Sequence, residues 1–256
     1  KIRKEKNSNN KIWQKLGLGD KMYEFKNEVL LDASNWAIQK DTLLKMEQTL
    51  PMIEEYDNTD GNSDPIGSPL WDIIKEPVKE VYTIPLFKQE FCDMVLSELK
   101  KMQFEIPFKP NLEEDELRRI PEIVLESATP DFYEEMLEIV RTQINIILFT
   151  LFNRQVDGGC IQLANYNPRT IQQTSWHHDA SADISIVVPL NTGYYEGGGT
   201  DFHNRGSVPP LPTGHALIFP SFTHLHRGAP VYSGDRYLLV MWLTINEQDR
   251  KEDRFR

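Results

Sequence analysis

The sequence is poor in cysteine, and it contains no long apolar run. It has two cysteines, Cys92 and Cys160, which cannot form a disulfide framework. Cys92 falls in a helical pattern and Cys160 in a strand pattern, so we expect both to be small buried side chains. The most apolar stretch, 144–152, is interrupted by polar residues and is too short to span a bilayer. The sequence therefore predicts no membrane span, and its cysteines do not indicate a redox compartment.

Basic charge is also scarce. The chain has 28 Lys and Arg against 39 Asp and Glu, a net charge of -11. Nucleic-acid backbones are bound by basic patches, so this balance argues against a nucleic-acid partner, and it is compatible with a cationic peptide substrate. The chain shows no signal peptide and begins with Lys1. We expect a soluble protein of the cytoplasm or nucleus, or of the endoplasmic reticulum lumen if a targeting segment has been removed.

The first third of the chain has the periodicity of helices. Apolar residues recur at helical spacing over 11–56, and Pro51 is expected to end or kink that helix. The polar segment 57–65 reads as a loop, because it lacks the fixed pattern and closing glutamate of a calcium-binding loop. A length of 256 residues suits one domain with an appendage. The sequence thus predicts an N-terminal helical extension over 1–80 and a larger domain over 81–256.

The larger domain begins with helices and ends with strands. A strand is predicted at 78–85, and amphipathic helices at 88–102 and 130–152. After Gly158 and Gly159 the period changes, and short strands separated by turn residues are predicted at 160–166, 182–190, 200–203, 216–219 and 236–245. This order indicates an α+β fold, with a β-barrel or jelly roll whose helices pack outside one sheet.

Every histidine of the chain lies in one segment, 176–242: His177, His178, His203, His215, His224 and His226. Residues i and i+2 of a strand point to the same side, so His177 would present its imidazole beside the carboxylate of Asp179. A third ligand from the pair His224 and His226 would complete a set of two histidines and one carboxylate. Such a set leaves open positions on a non-haem Fe(II) and is typical of iron oxygenases.

Three motifs carry a resemblance to a known family. They are His-His-Asp-Ala-Ser at 177–181, Tyr-Glu-Gly-Gly-Gly-Thr-Asp-Phe at 195–202 and Thr-His-Leu-His-Arg-Gly-Ala-Pro at 223–230. Together they resemble the 2-oxoglutarate/Fe(II)-dependent dioxygenases of the prolyl/lysyl hydroxylase group, and most of all the catalytic domain of the procollagen lysyl hydroxylases. The resemblance covers 160–243 and extends faintly to 85–92. It implies that the strands form a double-stranded β-helix, which is the jelly roll of that family.

The resemblance also implies roles for individual residues. His177, Asp179 and His226 would hold iron, and Arg236 would bind the distal carboxylate of 2-oxoglutarate. Arginine suits this role because its planar guanidinium can bind a carboxylate through two parallel hydrogen bonds. Tyr166 matches a strand tyrosine that lines the cosubstrate pocket. The cofactors implied are Fe(II), 2-oxoglutarate and ascorbate, which would keep the iron reduced.

The first metal-binding motif leaves a choice between two histidines. His178 is adjacent to Asp179, and neighbouring residues of a strand point to opposite sides. His177 can share a face with the carboxylate, so alternation favours His177.

The second motif is not resolved by alternation, because His224 and His226 would lie on one face of a strand. The ten-residue spacing to Arg236 favours His226 as the ligand. His203 and His215 are expected to be structural, or to lie next to the metal ligands without binding the metal.

The function implied is hydroxylation of a protein side chain, lysyl or prolyl, coupled to the decarboxylation of 2-oxoglutarate to succinate and CO2. The partners would be O2 and a protein or peptide substrate, and the oligomeric state is left open. Two alternatives remain at this stage: a non-catalytic β-roll binding domain that keeps its metal for stability, and an oxygenase that acts on a small molecule. Fe(II)-dependent succinate production would separate the first alternative from an enzyme, and a hydroxylation screen of peptides would test the second.

Overall fold

The computed structural model describes residues 22–245, apart from 26, 59–66, 111, 113–115 and 117–118. The expected helical stretch at 11–21 and most of the polar loop at 57–65 lie outside the described residues, as do residues 246–256. Across the part of the chain that is described, no helix has both the length and the apolar character that crossing a membrane requires.

The N-terminal part contains two helices rather than one continuous helix. A 3-10 helix spans Glu28–Asn35, and helix α1 spans Lys40–Asn58. Between them the chain extends and Ile38 forms an isolated bridge with Phe87. α1 does not end at Pro51 but continues to Asn58. Ile53, two residues after Pro51, is buried. The packing of this helical turn therefore compensates for the loss of the hydrogen bond that proline cannot donate.

The domain that follows has the predicted mixture of helices and strands. Helices α2 (Gln89–Met102), α3 (Leu125–Ala128), α4 (Pro130–Ile139) and α5 (Asn145–Phe152) are described, and a short 3-10 helix spans Pro69–Asp72. The predicted helix at 130–152 has the expected extent, but a π-helical turn, Val140–Ile144, separates α4 from α5. The strands are β1 Lys75–Val78, β2 Val81–Pro85, β3 Lys109–Pro110, β4 Pro121–Val124, β5 Val156–Tyr166, β6 Ile184–Pro189, β7 Tyr195–Gly197, β8 Thr200–Phe202, β9 Gly206–Val208, β10 His215–Pro220, β11 His226–Gly228, β12 Val231–Gly234 and β13 Arg236–Ile245.

The strands form one large antiparallel sheet and two small ones. The large sheet has eight strands in the order β1-β2-β10-β6-β13-β5-β4-β3. The small sheets have the orders β11-β8-β9 and β12-β7. The predicted α+β class is therefore confirmed, and its strands lie in a large antiparallel sheet. Neighbours in this sheet come from distant parts of the chain, which is how residues far apart in sequence reach one site.

The predicted single strand at 78–85 is wrong in one respect. The chain turns at Lys79 and Glu80, and the segment is a hairpin in which β1 pairs with β2. Glu80 has a φ of 61°, a left-handed conformation that glutamate seldom adopts. Its backbone N–H donates to Glu76 Oε1 at 2.6 Å, which holds the turn. The turn was missed because it contains no Gly, Asn or Pro to mark it.

The two faces of the large sheet have different roles. On β13, Leu239, Met241 and Leu243 point into the main hydrophobic core, where they join side chains of the helices. This confirms the prediction that helices pack on the outside of one sheet. The intervening residues of β13, Leu238 and Val240, line a cavity on the opposite face. Because successive side chains of a strand point to opposite faces, alternate residues of β13 reach the core and the cavity.

The expected division at residue 80 remains a prediction. The described residues on both sides of it contribute to one hydrophobic core: Leu30 and Met46 of the N-terminal helices belong to the same cluster as Phe91 and Phe132. Residue 80 itself lies in the turn between β1 and β2. Any isolated piece that begins at 81 would therefore expose apolar surface that the N-terminal helices cover.

The cysteines provide a first prediction. Cys92 is buried as expected and Cys160 is half-buried, and burial raises their thiol pKa values to about 12 and about 11. Only about one Cys160 thiol in a thousand would be ionised at pH 8, and the thiolate is the reactive form. We expect Ellman's reagent to modify the native protein roughly 100-fold more slowly than the protein in guanidinium chloride. Rapid modification of one thiol in the native state would show that Cys160 is more accessible than this structure indicates.

Candidate metal and carboxylate site

Three of the predicted ligands meet in space. His177, Asp179 and His226 each bring one ligand atom into a group whose members lie within 4.8 Å of one another. The Nε2 atom of His177 lies 3.5 Å from Asp179 Oδ1, and the Nε2 atom of His226 lies 3.6 Å from Asp179 Oδ2. Among the described residues this is the one cluster of at least three His, Cys, Asp or Glu side chains with metal-binding spacing. Two imidazoles and a carboxylate are thus arranged around one point.

The backbone holds the two histidines side by side. His177 donates its N–H to the carbonyl of His226, and His226 donates to the carbonyl of His177, both at 2.9 Å. The ring centroids are 4.4 Å apart. His226 begins β11, whereas His177 lies outside the named strands and forms this isolated bridge instead. The predicted juxtaposition of His177 and Asp179 is present, although the strand on which it was predicted is not.

Hydrogen bonds orient each member of the cluster. His177 Nδ1 lies 2.8 Å from the Ser175 carbonyl oxygen, and His226 Nδ1 lies 2.9 Å from that of His224. A carbonyl can only accept, so Nδ1 carries the proton and Nε2 keeps its lone pair. The Ser185 hydroxyl donates to Asp179 Oδ2. The two bonds from Nδ1 fix the histidine tautomers that metal binding requires, and the bond from Ser185 orients the carboxylate.

Burial favours the neutral form of His226. It lowers the pKa of His226 to about 4, although the nearby Asp179 carboxylate acts in the opposite direction. A histidine with this pKa is neutral at pH 7, and a neutral imidazole is the form that binds metals. The ring would therefore not need to lose a proton before it bound a cation.

The two alternative histidines lie outside the cluster. His224 is fully buried elsewhere, with its Nε2 atom 3.1 Å from Arg205 Nη1 and 3.2 Å from the Lys79 carbonyl oxygen. His178 lines the same cavity as the cluster, and its ring stacks on Phe222 with centroids 6.2 Å apart. The structure thus brings together the two histidines that the sequence favoured.

The two remaining histidines also lie away from the cluster. His203 is exposed, and Trp176 meets its ring edge-on with centroids 5.3 Å apart. His215 is half-buried at the start of β10, and burial lowers its pKa. Their positions fit the expectation that neither holds the metal.

Arg236 and Tyr166 face each other across two strands. Arg236 begins β13 and is directly opposite Tyr166, the last residue of β5. The guanidinium carbon lies 5.4 Å from the centre of the Tyr166 ring. Arg236 is buried, and its Nε atom has no hydrogen-bond partner among the described residues. A buried cation with an unused donor is costly unless an anion completes its surroundings.

Tyr166 is equally enclosed. Burial raises the pKa of its hydroxyl, and the nearby Arg236 charge and a hydrogen bond with Thr174 act in the opposite direction. The Thr174 hydroxyl accepts a hydrogen bond from the Gly228 N–H at 2.7 Å. Tyr166 is therefore protonated at neutral pH and can donate a hydrogen bond.

One cavity of about 380 Å³ joins the histidine cluster to Arg236 and Tyr166. Its volume is within the range of small-molecule sites. At two glycines the backbone lies too close to Tyr166 and Arg236 for a side chain to fit: a Cβ at Gly228 would lie 2.9 Å from the Tyr166 ring, and one at Gly198 would lie 3.1 Å from Arg236 Cδ. Gly198 also has a φ of 79°, a left-handed conformation that favours glycine.

The cavity contains polar residues that the sequence analysis did not select. Glu122 of β4 and Gln162 of β5 both line it. A signal for Gln162 was available, because it lies four residues before Tyr166 on the same strand and therefore on the same face. No such signal existed for Glu122, which reaches the cavity only because β4 pairs with β5.

Comparison with known proteins supports the resemblance of the motifs. No family model matches the chain. The multifunctional procollagen lysine hydroxylase and glycosyltransferase of Homo sapiens is 26% identical over 182 residues, which is 67% of this chain and 24% of that protein. The procollagen-lysine,2-oxoglutarate 5-dioxygenase 2 of Homo sapiens is 25% identical over 183 residues, with the same coverages. The chain thus spans about a quarter of the length of these relatives.

Solved structures show the same fold. A prolyl hydroxylase from Trichoplax adhaerens, in complex with a hypoxia inducible factor peptide fragment, has a TM-score of 0.56 and 16% identity, and the match covers 84% of this chain and 96% of that chain. A Pseudomonas putida prolyl-4-hydroxylase has a TM-score of 0.53 and 15% identity over 64% of this chain and 92% of that chain. The chain is therefore related in sequence to procollagen lysine hydroxylases and has the fold of prolyl hydroxylases, as its motifs indicated.

Proposed function

We propose that this relative of the procollagen lysine hydroxylases is an Fe(II)- and 2-oxoglutarate-dependent dioxygenase that hydroxylates a lysyl or prolyl side chain of a protein. The observation that carries this proposal is the combination of two features in one cavity. A cluster of two histidines and an aspartate lies there together with a buried arginine whose Nε atom has no partner. A metal-binding cluster alone would fit many proteins, whereas the added carboxylate-binding group fits a cosubstrate with two carboxylates.

His177, Asp179 and His226 would hold the Fe(II). Their chemistry fits, because imidazole and carboxylate are ligands that Fe(II) accepts, and three protein ligands leave coordination positions open. When bound, Fe(II) with 2-oxoglutarate and O2 supplies the oxidation that hydroxylates a C–H bond and converts 2-oxoglutarate to succinate and CO2. Ascorbate would keep the metal reduced. Ser185 contributes by fixing the Asp179 carboxylate.

Arg236 and Tyr166 would hold the far carboxylate of 2-oxoglutarate. The guanidinium supplies charge and hydrogen-bond donors, and the protonated Tyr166 hydroxyl can supply another donor. The position of these two residues in the metal cavity supports this role. One end of the cosubstrate would thus be anchored by the protein, which orients its other end toward the metal ligands.

The architecture proposed for this domain, residues 81–256, is the double-stranded β-helix. The large antiparallel sheet would form one half of the roll, and the two small sheets would form the other. A separate apolar cluster supports this arrangement, because it joins Phe202 and Val208 of the three-stranded sheet to Leu217 and Phe219 of the large sheet. The cavity would then lie between the two halves.

A protein substrate is proposed because of the named relatives. One is called a procollagen lysine hydroxylase and another a procollagen-lysine,2-oxoglutarate 5-dioxygenase, and the Trichoplax adhaerens enzyme is in complex with a peptide fragment. The test is succinate formation by the full chain with Fe(II), 2-oxoglutarate and ascorbate, combined with mass spectrometry of a lysine- and proline-containing peptide library. Metal-dependent stabilisation without any succinate would favour a non-catalytic binding domain. Succinate formation without a modified peptide would favour a small-molecule substrate.

The role of Tyr166 can be tested by Tyr166→Phe. This change keeps the ring beside Arg236 and removes one hydrogen-bond donor. We expect the KM for 2-oxoglutarate to rise roughly fivefold to tenfold, the effect of one lost hydrogen bond of about 1 kcal/mol. Calorimetric titration with the metal should give the wild-type affinity. An unchanged KM would remove Tyr166 from the cosubstrate site.

A further inference from the structure

The histidine and aspartate cluster spans two sheets. Asp179 is bound by the hydroxyl of Ser185, which lies on β6 of the large sheet, whereas His226 lies on β11 of the three-stranded sheet. The distance of 3.6 Å between the Asp179 carboxylate and the His226 ring therefore depends on how the two sheets lie beside each other at this point. A residue that ties the sheets together next to His226 would set the geometry of the cluster.

His224 makes such a tie through its buried ring. Its Nε2 atom lies 3.2 Å from the carbonyl oxygen of Lys79, in the turn between β1 and β2 of the large sheet. The same atom lies 3.1 Å from Nη1 of Arg205, in the turn between β8 and β9 of the three-stranded sheet. In one tautomer Nε2 accepts from Arg205, and in the other it donates to Lys79. The guanidinium also donates to the Lys79 carbonyl at 3.4 Å and to Glu80 at 3.5 Å, so the two turns are joined.

The backbone of His224 acts on His226. Its carbonyl accepts the hydrogen bond from His226 Nδ1 at 2.9 Å, and that bond leaves Nε2 free to bind a metal. The rest of this segment is held through its backbone. The Leu225 carbonyl accepts from the N–H of His203 at 2.8 Å, and His226 exchanges two hydrogen bonds with His177. At the His224 end the segment is held through the ring, so the direction of the His224 carbonyl depends on the ring contacts.

An apolar side chain could fill the space that the His224 ring occupies. Phe202 and Phe219 lie beside it, with ring centroids 6.0 Å and 6.3 Å away. Apolar contacts have no preferred direction, whereas hydrogen bonds are directional, so a phenyl ring would fill the space without fixing the backbone. A buried imidazole costs free energy unless its nitrogens are bonded, and both have partners, since Nδ1 lies 3.0 Å from the Thr223 hydroxyl. The two nitrogens therefore contribute direction.

We propose that His224 is a positioning residue for the proposed metal ligand His226. Its ring, held by the β1–β2 turn and by Arg205, fixes the backbone carbonyl that orients the His226 imidazole within the cluster. This inference rests on the proposed function for the presence of a metal, but the orientation of His226 can be measured without one. His177 is an internal reference, because its Nδ1 donates to the carbonyl of Ser175 in a separate segment of the chain.

The experiment follows the Nδ1 protons of His177 and His226 by NMR in the full chain with isotope-labelled histidine, without metal and with saturating Zn(II). His224→Phe keeps a buried ring and removes both ring nitrogens. We expect the His226 proton to exchange with water at least about tenfold faster in this variant, because its acceptor is no longer held, and the His177 proton to exchange at the wild-type rate. Calorimetric titration should give a Kd for Zn(II) that is about tenfold higher, as for other groups that orient metal ligands.

Three further variants separate positioning from a general effect on the fold. Arg205→Gln removes the exposed guanidinium that joins the two turns, and it should raise the Kd for Zn(II) roughly threefold, as the loss of one hydrogen bond implies. Arg205→Lys should restore the wild-type value, because an ammonium also donates. The matched control is His215→Phe, the same substitution at a half-buried histidine outside the cluster, and it should keep the wild-type Kd and both exchange rates. Melting curves monitor folding, and Arg205→Gln serves as the test if His224→Phe does not fold.

Two results would overturn the positioning role of His224. One is equal acceleration of the His177 and His226 protons in His224→Phe, which a general loosening of the fold would give. The other is the wild-type affinity for Zn(II) in both His224→Phe and Arg205→Gln. Succinate formation is measured on the same preparations. Selective acceleration of the His226 proton in a protein that forms no succinate would retain the positioning role and reject the dioxygenase, and succinate formation with wild-type proton exchange in His224→Phe would do the reverse.

Discussion

Asp179→Ala is expected to reduce succinate formation by more than roughly 100-fold, because it removes the carboxylate between the two imidazoles and with it one of three proposed ligands. His177→Ala should have a similar effect. The direct readout is metal-dependent stability. A saturating metal at 100 times its Kd stabilises a protein by about 2.7 kcal/mol, so the wild-type melting temperature should rise with metal and that of the variants should not.

Two histidine variants serve as controls for this result. His203→Ala changes an exposed histidine outside the cluster, and it should retain both metal stabilisation and turnover. His178→Ala tests the neighbouring histidine, and it should retain metal stabilisation although its side chain lines the cavity. An Asp179→Ala protein that decarboxylates 2-oxoglutarate at the wild-type rate would reject the dioxygenase assignment. Loss of metal stabilisation in His178→Ala alone would transfer the ligand role to that residue.

Arg236→Gln is expected to raise the KM for 2-oxoglutarate by roughly 100-fold, since the loss of one partner from a buried charge pair costs 2–5 kcal/mol. Arg236→Lys should recover only part of this loss, because an ammonium lacks the planar fork. The affinity for the metal should be unchanged, since Arg236 is not in the ligand cluster. Steady-state kinetics and metal titration measure the two quantities separately.

Stability measurements sharpen this second prediction. Without cosubstrate, the buried guanidinium carries an unpaired Nε, so Arg236→Gln should not lower the melting temperature. Saturating 2-oxoglutarate should raise the melting temperature of the wild-type protein and leave that of the variant unchanged. Arg169→Gln is the matched control, because it makes the same substitution at an exposed arginine. The Arg169 guanidinium pairs at 2.6 Å with Asp235, the residue that precedes Arg236 in the sequence. An equal response of both variants to 2-oxoglutarate would exclude a specific role for Arg236.

Much of the site could be predicted from local patterns. The short spacing of His177 and Asp179 makes them neighbours in almost any extended backbone, so the missing strand did not alter the result. The alternation of apolar residues along β5 and β13 identified buried strands, because a period of two is a property of the strand itself. The resemblance supplied Arg236 and Tyr166, and the structure places them opposite each other on paired strands.

Other features depended on contacts between distant parts of the chain. His224 and His226 are two residues apart, so alternation along a strand would place them on the same face. His224 nevertheless lies against Lys79 and Arg205, whereas His226 lies beside Asp179. That difference arises from the packing of the β1–β2 turn, which no local pattern marked. The break between the 3-10 helix and α1 likewise coincides with a bridge to Phe87.

The sequence by itself thus determined which residue types could form a metal and carboxylate site, and where β5 and β13, the strands that carry Tyr166 and Arg236, lie, because spacing and alternation are local properties. Only the tertiary structure decided which histidine meets Asp179 and which further side chains share the cavity. Glu122 and Trp242 are 120 residues apart, and they flank Gln162 because β4 and β13 pair with opposite edges of β5. The order of strands in a sheet is set by the packing of the whole domain, so residues selected by that order cannot be identified from their own sequence neighbourhood.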